Sequence, residues 1–163
     1  AISAARPKVA EYPFTTLYPQ LGLVETEDHF RFVVAEVPGL LEGAHTGIGL
    51  GTRFLRHIER TILIAYVLDI SQIDPQQPLK ALKKLKRELK AYNPSLLTKQ
   101  QVVIINKIDL PEAKQRLAII KKALEKERIP YWCVSALTGE GIEVFKKEIG
   151  KILNEGRKKS YQA

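Results

Sequence analysis

Two apolar runs, "TILIAYVLDI" at 61–70 and "QVVIINKI" at 101–108, constrain this chain more than any other feature. A strand with one wet face alternates apolar and polar residues. A strand apolar at successive positions is buried on both faces, and such strands belong to parallel sheets covered by helices on either side. The intervening segment, 76–91, sets Leu79, Leu82, Leu85 and Leu89 on one side and lysines on the other, as an amphipathic helix does. A helix is then expected at 112–128, a short strand at "YWCVSAL", and a last helix at 141–154. Upstream, "LYPQLGLVET" and "HFRFVVAEV" alternate like a hairpin across a polar turn at Glu27 and Asp28, and "AISAARPK" reads as the end of a helix. The predicted fold class is α/β: three layers, a mostly parallel sheet with helices on both faces, and one antiparallel edge hairpin.

With 163 residues, 45% of them apolar and 27% charged, the chain is sized for one globular domain with a real core. No apolar run approaches the roughly 20 residues that span a bilayer, so no membrane span is expected. The single cysteine, Cys133, excludes a disulfide framework and fits a reducing compartment; the expected location is cytoplasmic. The net charge of +8 is concentrated in "LKALKKLKRELK" (79–90), "KKALEKER" (121–128) and "GRKKS" (156–160). These stretches read either as solvated helix faces and a basic tail, or as a weak attraction to nucleic acid, chiefly ribosomal RNA. No RNA-recognition signature with interleaved aromatics accompanies them, so base-specific readout of RNA is not supported.

Ligands of open parallel sheets bind beyond the carboxyl ends of the strands. The residues to read are therefore "EVPG" at 36–39, "LDIS" at 68–71, "NKID" at 106–109 and "SAL" at 135–137. A carboxylate at Asp109 can accept two parallel hydrogen bonds from a ring N–H and an exocyclic amine, the donor pair of guanine's Watson–Crick edge, which adenine lacks. A site built on such bonds rejects an analogue strongly, because mispairing leaves buried polar groups unmatched. Asn106 can tie neighbouring loops together, and the aliphatic stem of Lys107 can lie on a purine face. The plainer alternative is that Asn106 and Asp109 only cap a turn before Pro111. Ser135, Ala136 and Leu137 end the next strand, where backbone N–H groups can meet a purine carbonyl oxygen, and Gly139 and Gly141 let the chain turn closely into the following helix. Alone, that stretch is equally a small-residue loop before a helix.

Taken together and in order, "NKID" and "CVSALTGEG" resemble the base-recognition elements of the P-loop GTPase superfamily. "YPFTT" (12–16) and "AEVPGLLEGAHTGIGLGTRFLRHIERT" (35–61) resemble the switch regions of the Obg family of GTPases, which bind the large ribosomal subunit. The resemblance runs from about residue 1 to 154 and implies an Obg-type G domain followed by a basic tail at 155–163. It implies a P-loop NTPase-type fold, GTP and GDP as ligands, Mg²⁺ as cofactor, and ribosomal RNA and proteins as partners of a monomer. By position, Thr16 matches the threonine that ligates magnesium and senses the γ-phosphate, within a loop of Phe14, Thr15, Thr16, Leu17 and Tyr18. Glu36, Val37, Pro38 and Gly39 match the strand-three motif, whose usual aspartate would be Glu36, holding a magnesium-bound water, and whose glycine N–H meets the γ-phosphate. Leu40 stands where Ras-like enzymes keep the glutamine that orients water, which implies slow hydrolysis and leaves no firmly assigned catalytic residue. Asn106, Lys107, Ile108, Asp109, Ser135, Ala136 and Leu137 complete the implied nucleotide site. His45 is not read as a catalytic base, and His57, at helical spacing from Arg53, Arg56 and Arg60, reads as a partner-facing or intramolecular contact.

The sequence contains no G-x-x-x-x-G-K-[ST] loop, the element that cradles phosphates in this superfamily. The resemblance places that loop and the first strand immediately upstream of Ala1, so the chain reads as an N-terminally shortened G domain. That strand would lie between the strands at 30–37 and 62–69. Without it the chain is expected either to fold poorly or to pair those two strands directly. A catalytically inert scaffold or weak guanine-nucleotide binder is the alternative reading.

Overall fold

The computed structural model describes residues 2, 20–36 and 58–160. Strands β1 (Gln20–Glu25) and β2 (Arg31–Glu36) form an antiparallel hairpin. Strands β3 (Leu63–Asp69), β4 (Gln100–Asn106) and β5 (Tyr131–Cys133) form a parallel sheet in the order β3-β4-β5. Helix α1 (Lys80–Tyr92) connects β3 to β4, α2 (Ala113–Lys126) connects β4 to β5, and α3 (Ile142–Ser160) follows β5.

The central strand shows why its sequence is apolar throughout. Val103 and Ile105 enter a core built with Leu82 and Leu89 of α1 and Ile120 and Leu124 of α2. Val102 and Ile104 enter a second core with Ile142, Phe145 and Ile149 of α3. Successive side chains of β4 thus fill opposite layers, as its apolar run predicts. Strand β3 departs from that expectation, because Tyr66 and Leu68 are buried while Ala65 and Val67 stand exposed on its other face.

The hairpin joins the α3 side of the molecule. Val24 and Phe32 share the second core with Phe145 and Ile149, and Gly150 lies close to the turn: a Cβ there would stand 3.0 Å from Thr26 Cγ2. Direct pairing of the strands at 30–37 and 62–69 is not what forms. The hairpin and the three-stranded sheet are separate ladders, held together through apolar packing on α3 rather than by backbone hydrogen bonds between β2 and β3.

Two helix ends differ from expectation. Helix α1 starts at Lys80 rather than 76, because Asp74 Oδ1 accepts from the Gln76 N–H at 2.9 Å and closes a turn, and Pro78 disfavours helical geometry at the residue before it. Helix α3 continues to Ser160 rather than stopping at 154. Gly156 sits within it against Ile62, where even an added Cβ would make only ordinary contact at 3.8 Å, so the glycine packs instead of terminating.

Candidate functional site

The carboxyl ends of β3, β4 and β5 bring three short loops together. Register places Asp69 directly beside Asn106, and β5 ends at Cys133 opposite Ile105. Beyond Asn106 the chain leaves the sheet sharply, because Lys107 adopts a left-handed φ of 67°. That conformation costs a non-glycine residue about 1–2 kcal/mol. Hydrogen bonds from Leu110 N to Lys107 O (3.2 Å) and from Ile108 N to Val134 O (3.3 Å) hold the bend against β5.

Ser135 is the hub of the facing loop. It is fully buried; its hydroxyl donates to Asp109 Oδ1 at 2.5 Å and accepts from the Thr138 N–H at 3.1 Å. Asn106 Oδ1 accepts from the Ala136 N–H at 3.0 Å. Asn106 and Asp109 are therefore both fixed by the loop after β5, and a plain turn cap would need neither bond. Asp109 itself is exposed, and its Oδ2 has no partner among the described residues, so a carboxylate edge of fixed orientation faces outward.

The backbone donors are distributed differently from the simplest expectation. The Ser135 N–H is bonded to Glu140 O at 2.9 Å, and the Ala136 N–H to Asn106. An incoming carbonyl oxygen would share or replace the second of these. The Leu137 N–H has no partner among the described residues, and its side chain is 86% exposed. Gly141 makes the loop possible: its φ is +74°, and a Cβ there would stand 2.3 Å from Cys133 O.

Two contributors were not apparent as site residues. Asp69 pairs with Lys107, Oδ2 to Nζ at 2.7 Å, while its Oδ1 accepts from the Ser71 N–H at 2.9 Å and the Ser71 hydroxyl at 2.7 Å. Partial burial pushes the Asp69 carboxyl up, but the bonds from Lys107 and Ser71, with the Lys107 charge, together bring it below the ordinary carboxylate value. Arg116 on α2 donates to the carbonyls of Ile70 (3.3 Å) and Ser71, clamping the turn after β3. Asp69 lies in the strand-end stretch at 68–71, so the strand-end rule points to it; Arg116 carries no local signal.

Phe14, Thr15, Thr16, Leu17, Tyr18, Val37, Pro38, Gly39 and Leu40 lie outside the described residues, as do His45, Arg53, Arg56 and His57. Glu36 ends β2, exposed and in register with Gln20. Its carboxylate is a hard oxygen donor of the type magnesium takes. Among the described residues no group of three or more His, Cys, Asp or Glu could by itself hold a metal ion, and no helix is long and apolar enough to cross a membrane.

Comparison with known proteins gives the family and the fold. A family model described as 50S ribosome-binding GTPase matches residues 1–107. The chain is 45% identical over 163 residues to the GTPase Obg of Syntrophotalea carbinolica, covering 100% of this chain and 46% of the relative. It is 45% identical over 158 residues to that of Aquifex aeolicus, covering 97% of this chain and 46% of the relative. The chain thus spans less than half the length of these relatives. Among solved structures, Era in complex with MgGDPNP and a segment of 16S ribosomal RNA superposes with a TM-score of 0.62 at 22% identity, covering 92% of this chain and 48% of Era. That likeness establishes the fold, which is of the P-loop GTPase type. The resemblance to Obg read from the sequence is borne out.

Proposed function

The chain belongs to the 50S ribosome-binding GTPase family, and on that premise we propose that it is the base-reading part of a slow GTP-binding and GTP-hydrolysing switch acting in large ribosomal subunit assembly. The observation that carries this reading is the Asp109 carboxylate, oriented by buried Ser135 across the gap between the β4 and β5 loops. Each carboxylate oxygen has two lone pairs. Asp109 Oδ1 can keep the Ser135 bond while accepting from one guanine donor, and Oδ2 accepts from the other. Lys107 floors the base with its stem, and the Leu137 N–H is the free donor for the ring carbonyl oxygen.

At the phosphate end, the proposal assigns Thr16 as a direct magnesium ligand and Glu36 as a ligand through water, with the Gly39 N–H on the γ-phosphate. Bound Mg²⁺ neutralises charge developing on the phosphate oxygens. Thr16 senses the γ-phosphate, and nucleotide state orders or releases residues 12–18 and 36–60. Leu40 in place of a glutamine offers no hydrogen bond to an attacking water, so turnover is slow until a partner positions that water. The protein acts as a monomer in the cytoplasm, and linked control of growth or stress belongs to the same proposal.

The test is a base swap in the full-length protein. Asp109→Asn replaces one acceptor edge with a donor. It should weaken GTP by about 1–3 kcal/mol for a lost charged hydrogen bond, while XTP, which carries an oxygen where guanine has its amine, is admitted. Equal loss for GTP and XTP would show that Asp109 does not read the base.

A further inference from the structure

We propose that the outward face of α1 is a docking surface for the phosphate backbone of RNA, carried by Lys80, Lys83, Arg87 and Lys90. The helix buries Leu82 and Leu89, with Leu85 packed beside them. The four cations recur about once per 5.4 Å turn on the opposite side, and all are exposed. None of the four forms an ion pair with any described residue. Helix α3 shows what an ordinary solvated face looks like here: Lys146 pairs with Glu143 at 2.9 Å and Lys151 with Glu148 at 2.7 Å. The one acid of α1, Glu88, is half-buried at the edge of the stripe, with Oε2 buried and without a hydrogen-bond partner among the described residues.

This arrangement works against the isolated helix. Like charges three and four residues apart repel. Lys80 opens the helix with no acid in the first turn and no side-chain cap on Leu79, against the positive end of the dipole. An external polyanion offsets both penalties. The choice between RNA and an acidic protein is settled by what lies between the cations: α1 contributes no exposed large apolar residue. A protein interface needs a dry apolar centre, whereas binding along a phosphate backbone needs only positive charge and released counterions. The proposal deepens the ribosomal part of the function above and takes from it only that the RNA is ribosomal.

The test compares the full-length protein with a variant carrying Lys80→Gln, Lys83→Gln, Arg87→Gln and Lys90→Gln, titrated with a random-sequence RNA duplex across salt concentrations. Neutralising four phosphate contacts should flatten the slope of log K against log salt by about 3 and weaken binding at least about tenfold at low salt. Lys121→Gln with Lys122→Gln on α2 should leave the slope unchanged, and arginine at positions 80, 83 and 90 should retain binding. A thermal stability equal to or above the parent's shows that the quadruple variant is folded, and unchanged guanine-nucleotide affinity separates this surface from the base site. An unaltered RNA slope overturns the proposal. So does a variant that keeps RNA but loses polyglutamate, which would assign the face to an acidic protein.

Independently, the geometry points to Asp69 as a positioning residue for the base site. One of its oxygens is occupied by Ser71 and the other holds Lys107 Nζ at 2.7 Å. The ammonium is pinned at its tip while the backbone is bent at φ 67°, which leaves the stem stretched between two fixed ends beneath the base. Asp69→Asn keeps an acceptor for Ser71 and removes the negative charge that faces the Lys107 ammonium. Guanine-nucleotide dissociation should accelerate about three- to thirtyfold, and the effect should vanish in a Lys107→Gln background, because coupled residues are non-additive. A dissociation rate unchanged by Asp69→Asn, or additive losses in the double variant, refutes the role. Failure of this test with intact guanine selectivity leaves the base-reading assignment of Asp109 standing.

Discussion

Replacing Ser135 by alanine tests whether the buried hydroxyl serves the fold, the base site or both. The hydroxyl makes two bonds, one donated to Asp109 and one accepted from Thr138. A hydrogen bond to a charged group contributes about 1.5–3 kcal/mol, but Asp109 is exposed and regains water once released. The Thr138 N–H lies in an exposed stretch and is hydrated in the same way. The stability loss should therefore sit near the low end, about 1–2 kcal/mol, or a fall in melting temperature of about 3–6 °C for a chain of this size. The affinity effect is separate. Without Ser135 the Asp109 carboxylate must be immobilised by the ligand, at about 0.5–1.5 kcal/mol per ordered side chain, which weakens guanine nucleotides roughly three- to tenfold. Urea denaturation and a fluorescent GDP titration on the full-length protein read the two quantities. Stability reduced as stated with affinity untouched would show that Ser135 does not orient Asp109 for a ligand.

Gly141→Ala should be more damaging than its size suggests, since the new Cβ would meet Cys133 O at 2.3 Å in a left-handed backbone. A loss of about 2 kcal/mol or more is expected by denaturation, together with weakened guanine binding as the Ser135 loop shifts. The Asp69 carboxyl is held below its ordinary value of 3.8, so the stability it contributes is fully present above that pH and is lost only as pH falls through the lower folded-state value. The stability difference between the parent and Asp69→Asn should accordingly be flat from neutrality to about pH 5 and shrink only in stronger acid, checked by denaturation at a series of pH values.

The layered fold was legible because burial on two faces leaves a strand no polar positions: Val102 to Ile105 are apolar in sequence and all buried in the structure. The hairpin was legible from its polar turn at Glu27 and Asp28, and not from a polar outer face: Val24 and Phe32 turn inward, but the outward-facing Leu23 and Val33 are apolar too. The base-reading residues stood out because Asn106, Lys107 and Asp109 interrupt an otherwise apolar run at its end. The Asp69–Lys107 pair was not legible, since it depends on which residues the register of β3 and β4 sets side by side. Arg116 was hidden among the charges of α2, and only the packing of that helix beside the turn after β3 brings its guanidinium to the carbonyls of Ile70 and Ser71. The ends of α1 and α3 moved because an Asp74 turn and a packed Gly156 act through geometry that composition does not record.

The most direct measurement is a crystal structure of the full-length protein with GDP. Both Asp109 oxygens should lie within hydrogen-bond distance of the guanine ring N–H and exocyclic amine, with the Ser135 bond kept and the Lys107 stem against the ring. An empty pocket at the ends of β4 and β5, or a base held there with Asp109 turned away, would contradict this reading.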